Sequence, residues 1–134
     1  IAIDKLKAKL KELTKRNWGV SMDYRLKKIK AKVVGWINYF RIGNFKSVCQ
    51  EIDRNMRFRL RMCIWKQWKK VKTKYKALKR LGMEEWKAYR NGNTRKGYWA
   101  VAGSGILTHT ITNERLARRG YYDISEAYKS LHYL

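Results

Sequence analysis

Proline is missing from all 134 residues of this sequence, and most of the nine glycines lie after residue 80. Proline breaks helices and glycine weakens them, so the first 80 residues can form long uninterrupted helices. Apolar residues there recur at steps of three and four, which is the spacing of one helix face. No stretch shows the alternation typical of a β-strand. The sequence therefore predicts an all-α fold, with long helices first and a more interrupted helical region afterwards.

A bundle of three long helices is predicted in the first part of the chain. The first ends near residues 17–19, and its apolar face is Ile3, Leu6, Leu10 and Leu13. The second follows the N-cap Ser21, and its apolar stripe is Met22, Leu26, Ile29, Val33, Trp36 or Ile37, and Phe40. The third runs from about Lys46 to Leu81, where Gly82 is placed to end it. Its apolar face drifts around the helix after Cys63, which predicts a bend or break before Trp68.

A small subdomain of short helices is predicted from residue 83 onward. Residues 84–89 predict a short helix, Asn91–Asn93 a turn, and Ser104 and Thr112 the caps of two further helices. Gly120 ends the second of these, and Asp123 with Glu126 forms a variant capping box for the last helix. The expected core of this subdomain is Tyr121, Tyr122, Tyr128, Leu131 and Tyr133. We thus expect two domains, over residues 1–82 and 83–134.

The charge is the main guide to function, because 33 Lys and Arg oppose only 10 Asp and Glu and give a net charge of +23. A polyanion that neutralises this charge relieves self-repulsion and gains free energy from released counterions. RNA or DNA is therefore the expected partner. A solvated basic face and an anionic membrane surface are the alternatives.

A basic stripe on the third helix is the main candidate for contact with nucleic acid. Opposite the apolar face, and at helical spacing, lie Arg54, Arg57, Arg61, Lys69, Lys72, Lys76 and Lys79. Phe58 and Trp65 project on the same side. A ring within a basic stripe can stack on an exposed base, and the alternative is that both rings pack against a neighbouring helix.

Residue patterns that support catalysis or metal binding are missing from the sequence. Two-metal polymerases and nucleases need clustered carboxylates, whereas the only adjacent acids, Glu84 and Glu85, point about 100° apart on a helix. No Gly-rich phosphate loop or nucleophile elbow occurs. Cys49 and Cys63 lie in one helical stretch and are expected to be buried thiols rather than a disulfide or a zinc site.

The sequence shows neither a targeting signal nor a membrane-spanning segment, and this guides the expected subcellular location. No apolar run approaches the ~20 residues that cross a bilayer, and the first residues do not form a signal-peptide core. We therefore expect a cytoplasmic protein in a bacterium, or an organellar one in a eukaryote, with no membrane partner. The sequence starts without Met inside a helical pattern, which favours a segment of a longer protein.

Four blocks of sequence between about residues 30 and 130 are distinctive when taken in order. They are Gly35–Phe40 (GWINYF), the Arg-rich run from Ile52 to Lys70 with its IWKQWK segment, Gly97–Trp99, and Leu107–Asn113. In this order and spacing they strongly resemble the maturase domain of group II intron reverse transcriptases. Residues 1–32 are similar to the thumb helices that precede this domain in the family.

The resemblance implies a thumb or X domain followed by a small DNA-binding region, with fingers and palm domains of the same protein lying before them. It implies a domain that binds intron RNA, stabilises the RNA fold for splicing, and clamps template and primer during reverse transcription. Target DNA is a further implied partner. No catalytic residue and no cofactor is implied here, because Mg²⁺ and its Asp ligands belong to the palm, and further Mg²⁺ to the intron RNA.

Charge and resemblance together select the residues expected to contact nucleic acid. They are Arg54, Arg57, Arg61, Trp65, Lys66, Lys69, Lys72, Lys76, Arg95 and Lys96, with Asn38 as a candidate polar contact. Three other functions stay open at this point. They are a structural buttress of the polymerase palm that binds nucleic acid only non-specifically, a stand-alone splicing factor, and part of a defence-associated reverse transcriptase.

Overall fold

The computed structural model describes residues 2–132 of the chain, with side chains for residues 2–131. These residues form nine α-helices and one 3-10 helix, and no β-strand occurs among them. The helices are α1 (Ala2–Leu13), α2 (Met22–Ile37), α3 (Lys46–Gln67), α4 (Val71–Arg80), α5 (Glu85–Gly92), α6 (Tyr98–Ala102), α7 (Gly105–Thr108), α8 (Asn113–Arg119) and α9 (Ile124–His132), with the 3-10 helix at Asn38–Arg41. The predicted all-α class, with long helices followed by short ones, is confirmed.

The first helix is shorter than predicted, because α1 ends at Leu13 rather than near residues 17–19. The buried side chain of Arg25, on α2, donates from Nη1 to the carbonyl oxygens of Leu13 and Lys15, each at 2.8 Å. Its Nη2 donates to the Trp18 carbonyl at 2.9 Å. The guanidinium thus satisfies carbonyl groups at the end of α1, and its positive charge lies at the negative end of the helix dipole.

Four predicted N-caps are confirmed by hydrogen bonds to their side-chain oxygens. Backbone N–H groups donate at 3.0 to 3.3 Å to Ser21, Ser104, Thr112 and Asp123. Each bond satisfies an N–H group that the first helical turn leaves without a partner inside the helix. Gly120 ends α8 with φ of 126°, a conformation that favours glycine.

The predicted third helix is broken into α3 and α4, as its drifting apolar face indicates. The break lies at residues 68–70, slightly after the predicted place. Lys69 has φ of 47°, a left-handed conformation that cannot continue an α-helix. After the break, α4 packs against α5.

The close approach of α4 and α5 depends on Gly92, the buried last residue of α5. A Cβ at Gly92 would lie 3.1 Å from the backbone nitrogen of Tyr75 on α4. The turn predicted at Asn91–Asn93 is therefore wrong for its first two residues, because α5 continues through them and places Gly92 against α4. The short helix α6 was not predicted at all.

One connected apolar core includes residues from both predicted domains. The α2 stripe is buried as expected, with Trp36 only partly buried. In the second part, Tyr121 and Tyr128 are buried, whereas Tyr122 and Leu131 are partly buried and pack against the same core. The predicted core residue Tyr133 lies outside the described residues.

Both cysteines are buried free thiols, as predicted. The Cys63 Sγ donates to the carbonyl oxygen of Thr14 at 3.2 Å. Burial raises the pKa of Cys49 to about 11. Burial also raises the pKa of Cys63. Both side chains therefore stay neutral thiols at neutral pH.

The central helix α3 joins the two parts of the chain through its contacts with α6 and α9, and it also contacts α1. Its buried Asp53 accepts hydrogen bonds from the Tyr121 hydroxyl at 2.5 Å and the Ile124 N–H at 3.1 Å. Asp53 also accepts hydrogen bonds from the N–H of Ser125 at 2.8 Å and from its hydroxyl at 2.6 Å. The carboxylate lies at the start of α9, where it stabilises the positive end of that helix.

Within the part of the chain that the structure describes, no helix combines the length and the apolar character needed to cross a bilayer.

Candidate nucleic-acid interface

Two arginines of the predicted basic stripe bind other parts of the protein. Arg57 Nη2 forms an ion pair with Asp123 Oδ2 at 2.6 Å. Arg61 is only 7% exposed, and its Nε and Nη2 donate to the Ile111 carbonyl at 2.7 Å and to Asn113 Oδ1 at 2.8 Å. Both guanidinium groups therefore connect α3 to the second part of the chain, and their contact with phosphates stays a prediction.

The predicted stacking residue Trp65 is also internal. Its side chain is 1% exposed and belongs to the core, 6.0 Å from the ring centroid of Trp68. Lys74 Nζ lies 4.6 Å from the Trp65 ring centroid, and burial lowers the pKa of Lys74. The alternative that Trp65 packs against a neighbouring helix is the one the structure supports, so its ring offers no surface to a base. Lys66, one residue later, is partly buried.

The remaining predicted residues are exposed. Lys72 and Lys76 lie four residues apart on α4, and Lys79 continues the same face. Together with Lys69, just before α4, these residues form a surface that we call the α4 lysine stripe. Arg95 and Lys96 lie in the loop between α5 and α6, and Asn38 is the first residue of the 3-10 helix. All are placed where a polyanion in solvent can reach them.

Arg54 is exposed and lines a groove between α1, α3 and α6, with a volume of about 560 Å³. We call it the Trp99 groove, because the exposed indole of Trp99 forms one side of it. Its lining residues are Lys7, Leu10, Lys11, Ile52, Arg54, Asn55, Met56, Phe58, Arg59 and Trp99. Apolar side chains thus lie beside four cations, and none of these lining residues, all of them described, carries a carboxylate.

Phe58 and Trp99 form an aromatic pair in this groove, with ring centroids 4.4 Å apart and planes at 60°. Gly103 makes room for the pair, since a Cβ there would lie 2.9 Å from Phe58 Cε2. Sequence reasoning named Phe58 as a candidate for stacking but did not include Trp99 among the site residues. The sequence signal for Trp99 was its place three residues after the basic pair Arg95 and Lys96.

Metal binding finds no support in the described residues. Among them, no group of three or more His, Cys, Asp or Glu side chains is placed to hold a metal ion. The chemistry of this surface is instead that of cations and aromatic rings. Such a surface binds polyanions through charge neutralisation and stacking.

The fold and the surface together define a basic, all-α domain. Residues 3–82 match the family model described as "Group II intron, maturase-specific domain". Since this match covers more than half of the chain, the chain belongs to the group II intron maturase family, and the resemblance in its sequence is confirmed. No match to a curated protein was found.

The family match includes α1 to α4 and therefore contains the α4 lysine stripe and Arg54. It ends at Gly82, before α5. Trp99 and the loop with Arg95 and Lys96 lie beyond it. The Trp99 groove is thus formed by residues from inside and outside the matched segment.

Proposed function

We propose that this domain binds the RNA of a group II intron and stabilises the folded RNA during splicing. The observation that carries the proposal is the α4 lysine stripe, which lies within the segment matched to the maturase-specific domain. Its exposed ammonium groups belong to a chain with a net charge of +23. Folded RNA concentrates phosphates, so neutralising them both binds the RNA and favours its compact form.

Affinity and selectivity arise from different contacts in this proposal. Lysines that neutralise phosphates release counterions and supply affinity that falls steeply with salt. Selectivity for one RNA comes from its shape, its unstacked bases and its 2′-hydroxyl groups. A template–primer duplex presents the same phosphate charge, so the proposal includes clamping of that duplex when the domain is part of a reverse transcriptase.

The experiment compares the affinity of the domain for its intron RNA with that for an unrelated structured RNA of equal length, across a range of salt. The test variant replaces Lys69, Lys72 and Lys76 with Ala. The matched control replaces Lys5, Lys9 and Lys15, which are also exposed but lie on or just after α1. Both triple variants lose the same net charge, so a difference between them reports position rather than total charge.

The salt slope is the slope of the logarithm of the binding constant against the logarithm of the salt concentration. We expect the test variant to lower its magnitude by about 3 units, with a smaller change in the control. We also expect the wild-type domain to bind the intron RNA more tightly than the unrelated RNA. Equal losses in the two triple variants would remove the α4 lysine stripe as the binding surface. Equal affinity for the two RNAs would instead support a buttress with non-specific binding.

A further inference from the structure

We propose that the Trp99 groove binds an unpaired nucleotide of the RNA, with its base stacked against Trp99. The proposal rests on the proposed function only in taking RNA as the ligand, and it adds a separate subsite with its own chemistry. The chain has six tryptophans, all within the described residues, and two of them are exposed: Trp99 at 63% and Trp86 at 56%. Trp99 differs from Trp86 because it forms the side of a cation-rimmed groove.

The orientation of Trp99 is fixed before any ligand binds. Phe58 contacts its ring at a centroid distance of 4.4 Å, and Gly103 gives Phe58 the space to do so. Arg16 contacts the preceding ring, with its guanidinium carbon 4.8 Å from the Tyr98 ring centroid, and so connects the start of α6 to the segment after α1. A ring held in place loses little conformational entropy on binding, which favours stacking.

The size and lining of the groove suit a nucleotide. Its volume of about 560 Å³ lies within the range of small-molecule sites, roughly 300 to 1,000 Å³. The partly buried Phe58 forms the apolar wall of the groove, and the almost fully buried Leu10, Ile52 and Met56 lie beneath it. Burial of a base against such a wall and an aromatic ring contributes affinity without reading the sequence, because every base has a π-face.

The rim selects an anion rather than a neutral apolar ligand. Lys7, Lys11, Arg54 and Arg59 line the groove, and none of its described lining residues is an acid, while Glu51, just outside the lining, pairs with Lys7 at 3.4 Å. Arg59 is held by hydrogen bonds from its Nε to Thr14 Oγ1 at 2.7 Å and from its Nη2 to the Lys11 carbonyl at 3.3 Å. The exposed side chains of Lys11 and Arg54 are placed to follow phosphates on either side of the base.

An unpaired nucleotide is the form of RNA that this geometry admits. Bases inside a duplex are stacked on their neighbours, and side chains cannot enter the deep, narrow major groove of A-form RNA. A bulged or looped nucleotide presents both a free base and its two flanking phosphates. The groove therefore complements the α4 lysine stripe, which contacts phosphates whether or not the bases are paired.

The test uses two RNA hairpins that differ only in a single bulged nucleotide, with 2-aminopurine as the bulged base. Trp99→Ala is compared with the matched control Trp86→Ala, which removes an exposed indole from α5. We expect Trp99→Ala to weaken binding of the bulged hairpin by about 5- to 100-fold and to abolish the quenching of 2-aminopurine. Binding of the bulge-free hairpin should not change, and Trp86→Ala should behave as wild type with both RNAs.

A conservative variant separates stacking from folding. Trp99→Phe keeps a ring and should retain most of the binding, whereas Trp99→Leu keeps only apolar volume and should lose the stacking contribution to binding. Urea unfolding of each variant establishes that the fold is intact. The proposal is overturned if Trp99→Ala leaves the bulged hairpin unaffected, as it would if a protein segment occupied the groove. Equal weakening of the two hairpins would overturn it as well.

Failure of this proposal is distinguishable from failure of the proposed function. If Trp99→Ala has no effect while the wild-type domain still prefers its intron RNA and responds to loss of the α4 lysine stripe, RNA binding stands and only the nucleotide subsite is lost.

Discussion

Asp53 shows how a single charged side chain can be stabilised inside an otherwise apolar core. The residue is 1% exposed, and four hydrogen-bond donors from Tyr121, Ile124 and Ser125 replace its water. A buried carboxylate is costly unless its oxygens are bonded in this way. All four donors come from residues 121–125, so Asp53 is the polar contact that fixes α9 on α3.

We expect Asp53→Asn to lower the free energy of unfolding by about 2 to 4 kcal/mol, because the amide has one acceptor oxygen and turns its NH₂ group toward existing donors. Urea unfolding followed by circular dichroism measures the change. The matched control is Glu51→Gln on the same helix. Glu51 is exposed and its Oε1 lies 3.4 Å from Lys7 Nζ, so we expect a change below about 0.5 kcal/mol. Similar losses in the two variants would contradict this role of Asp53.

At the residue scale, the sequence predicted which cations share a helix face but not which of them stay exposed. Arg54, Arg57 and Arg61 follow one helical spacing, yet only Arg54 is exposed. Arg57 bonds to Asp123, and Arg61 bonds to residues 111 and 113, all of them 50 or more positions away in sequence. Helical periodicity carries no information about such distant partners. For the same reason, the sequence could not decide whether Trp65 is buried or exposed.

Among the elements, those with a local signal were predicted and those without one were missed. The break between α3 and α4 appeared in the sequence as a rotation of the apolar face. The starts of α2, α8 and α9 were marked by Ser, Thr and Asp residues, whose side-chain oxygens accept hydrogen bonds from backbone N–H groups. By contrast, α6 is five residues long and its N-cap, Gly97, makes no side-chain hydrogen bond. It forms because it packs on α3, a contact that sequence periodicity does not encode.

Replacing either of two helical glycines with alanine should change the free energy of unfolding, but in opposite directions. Gly92→Ala should lower the free energy of unfolding by about 1 to 3 kcal/mol, because its Cβ would meet the Tyr75 backbone nitrogen at 3.1 Å. Gly35→Ala, inside α2, should raise it by about 0.5 to 1 kcal/mol, because no atom lies within 4 Å of the added Cβ. Urea unfolding of both variants tests the pair. An unchanged or raised free energy of unfolding for Gly92→Ala would contradict the close packing of α4 on α5.

The two parts of the whole molecule depend on each other for their buried surface. The family match ends at Gly82, but Asp53, Arg57 and Arg61 within it find their side-chain partners after residue 110. The core cluster likewise joins residues of α3 to Val101, Leu107 and Ile124. Sequence similarity therefore marks where a family pattern ends, whereas the packing continues across that point.

We expect a chain truncated to residues 1–82 to lose cooperative unfolding, because Asp53 and Arg61 would lose their partners and the side of α3 that contacts α6 and α9 would be exposed to water. Far-UV circular dichroism during urea titration, beside the full 134-residue chain, measures this. The helices of the truncated chain should melt gradually. A sharp transition at the midpoint of the full chain would instead show that residues 1–82 are an independent folding unit, as the sequence suggested.

The burial of Cys49 and Cys63 makes the domain convenient for site-specific labelling. Thiol reagents attack the thiolate, and burial keeps both native sulfurs protonated and out of contact with solvent. A cysteine introduced on the surface away from the predicted RNA contacts, for example by Lys5→Cys on α1, would then be the reactive thiol for a maleimide fluorophore or a crosslinker. Distances from the domain to positions along a bound RNA become measurable by energy transfer without replacing either native cysteine.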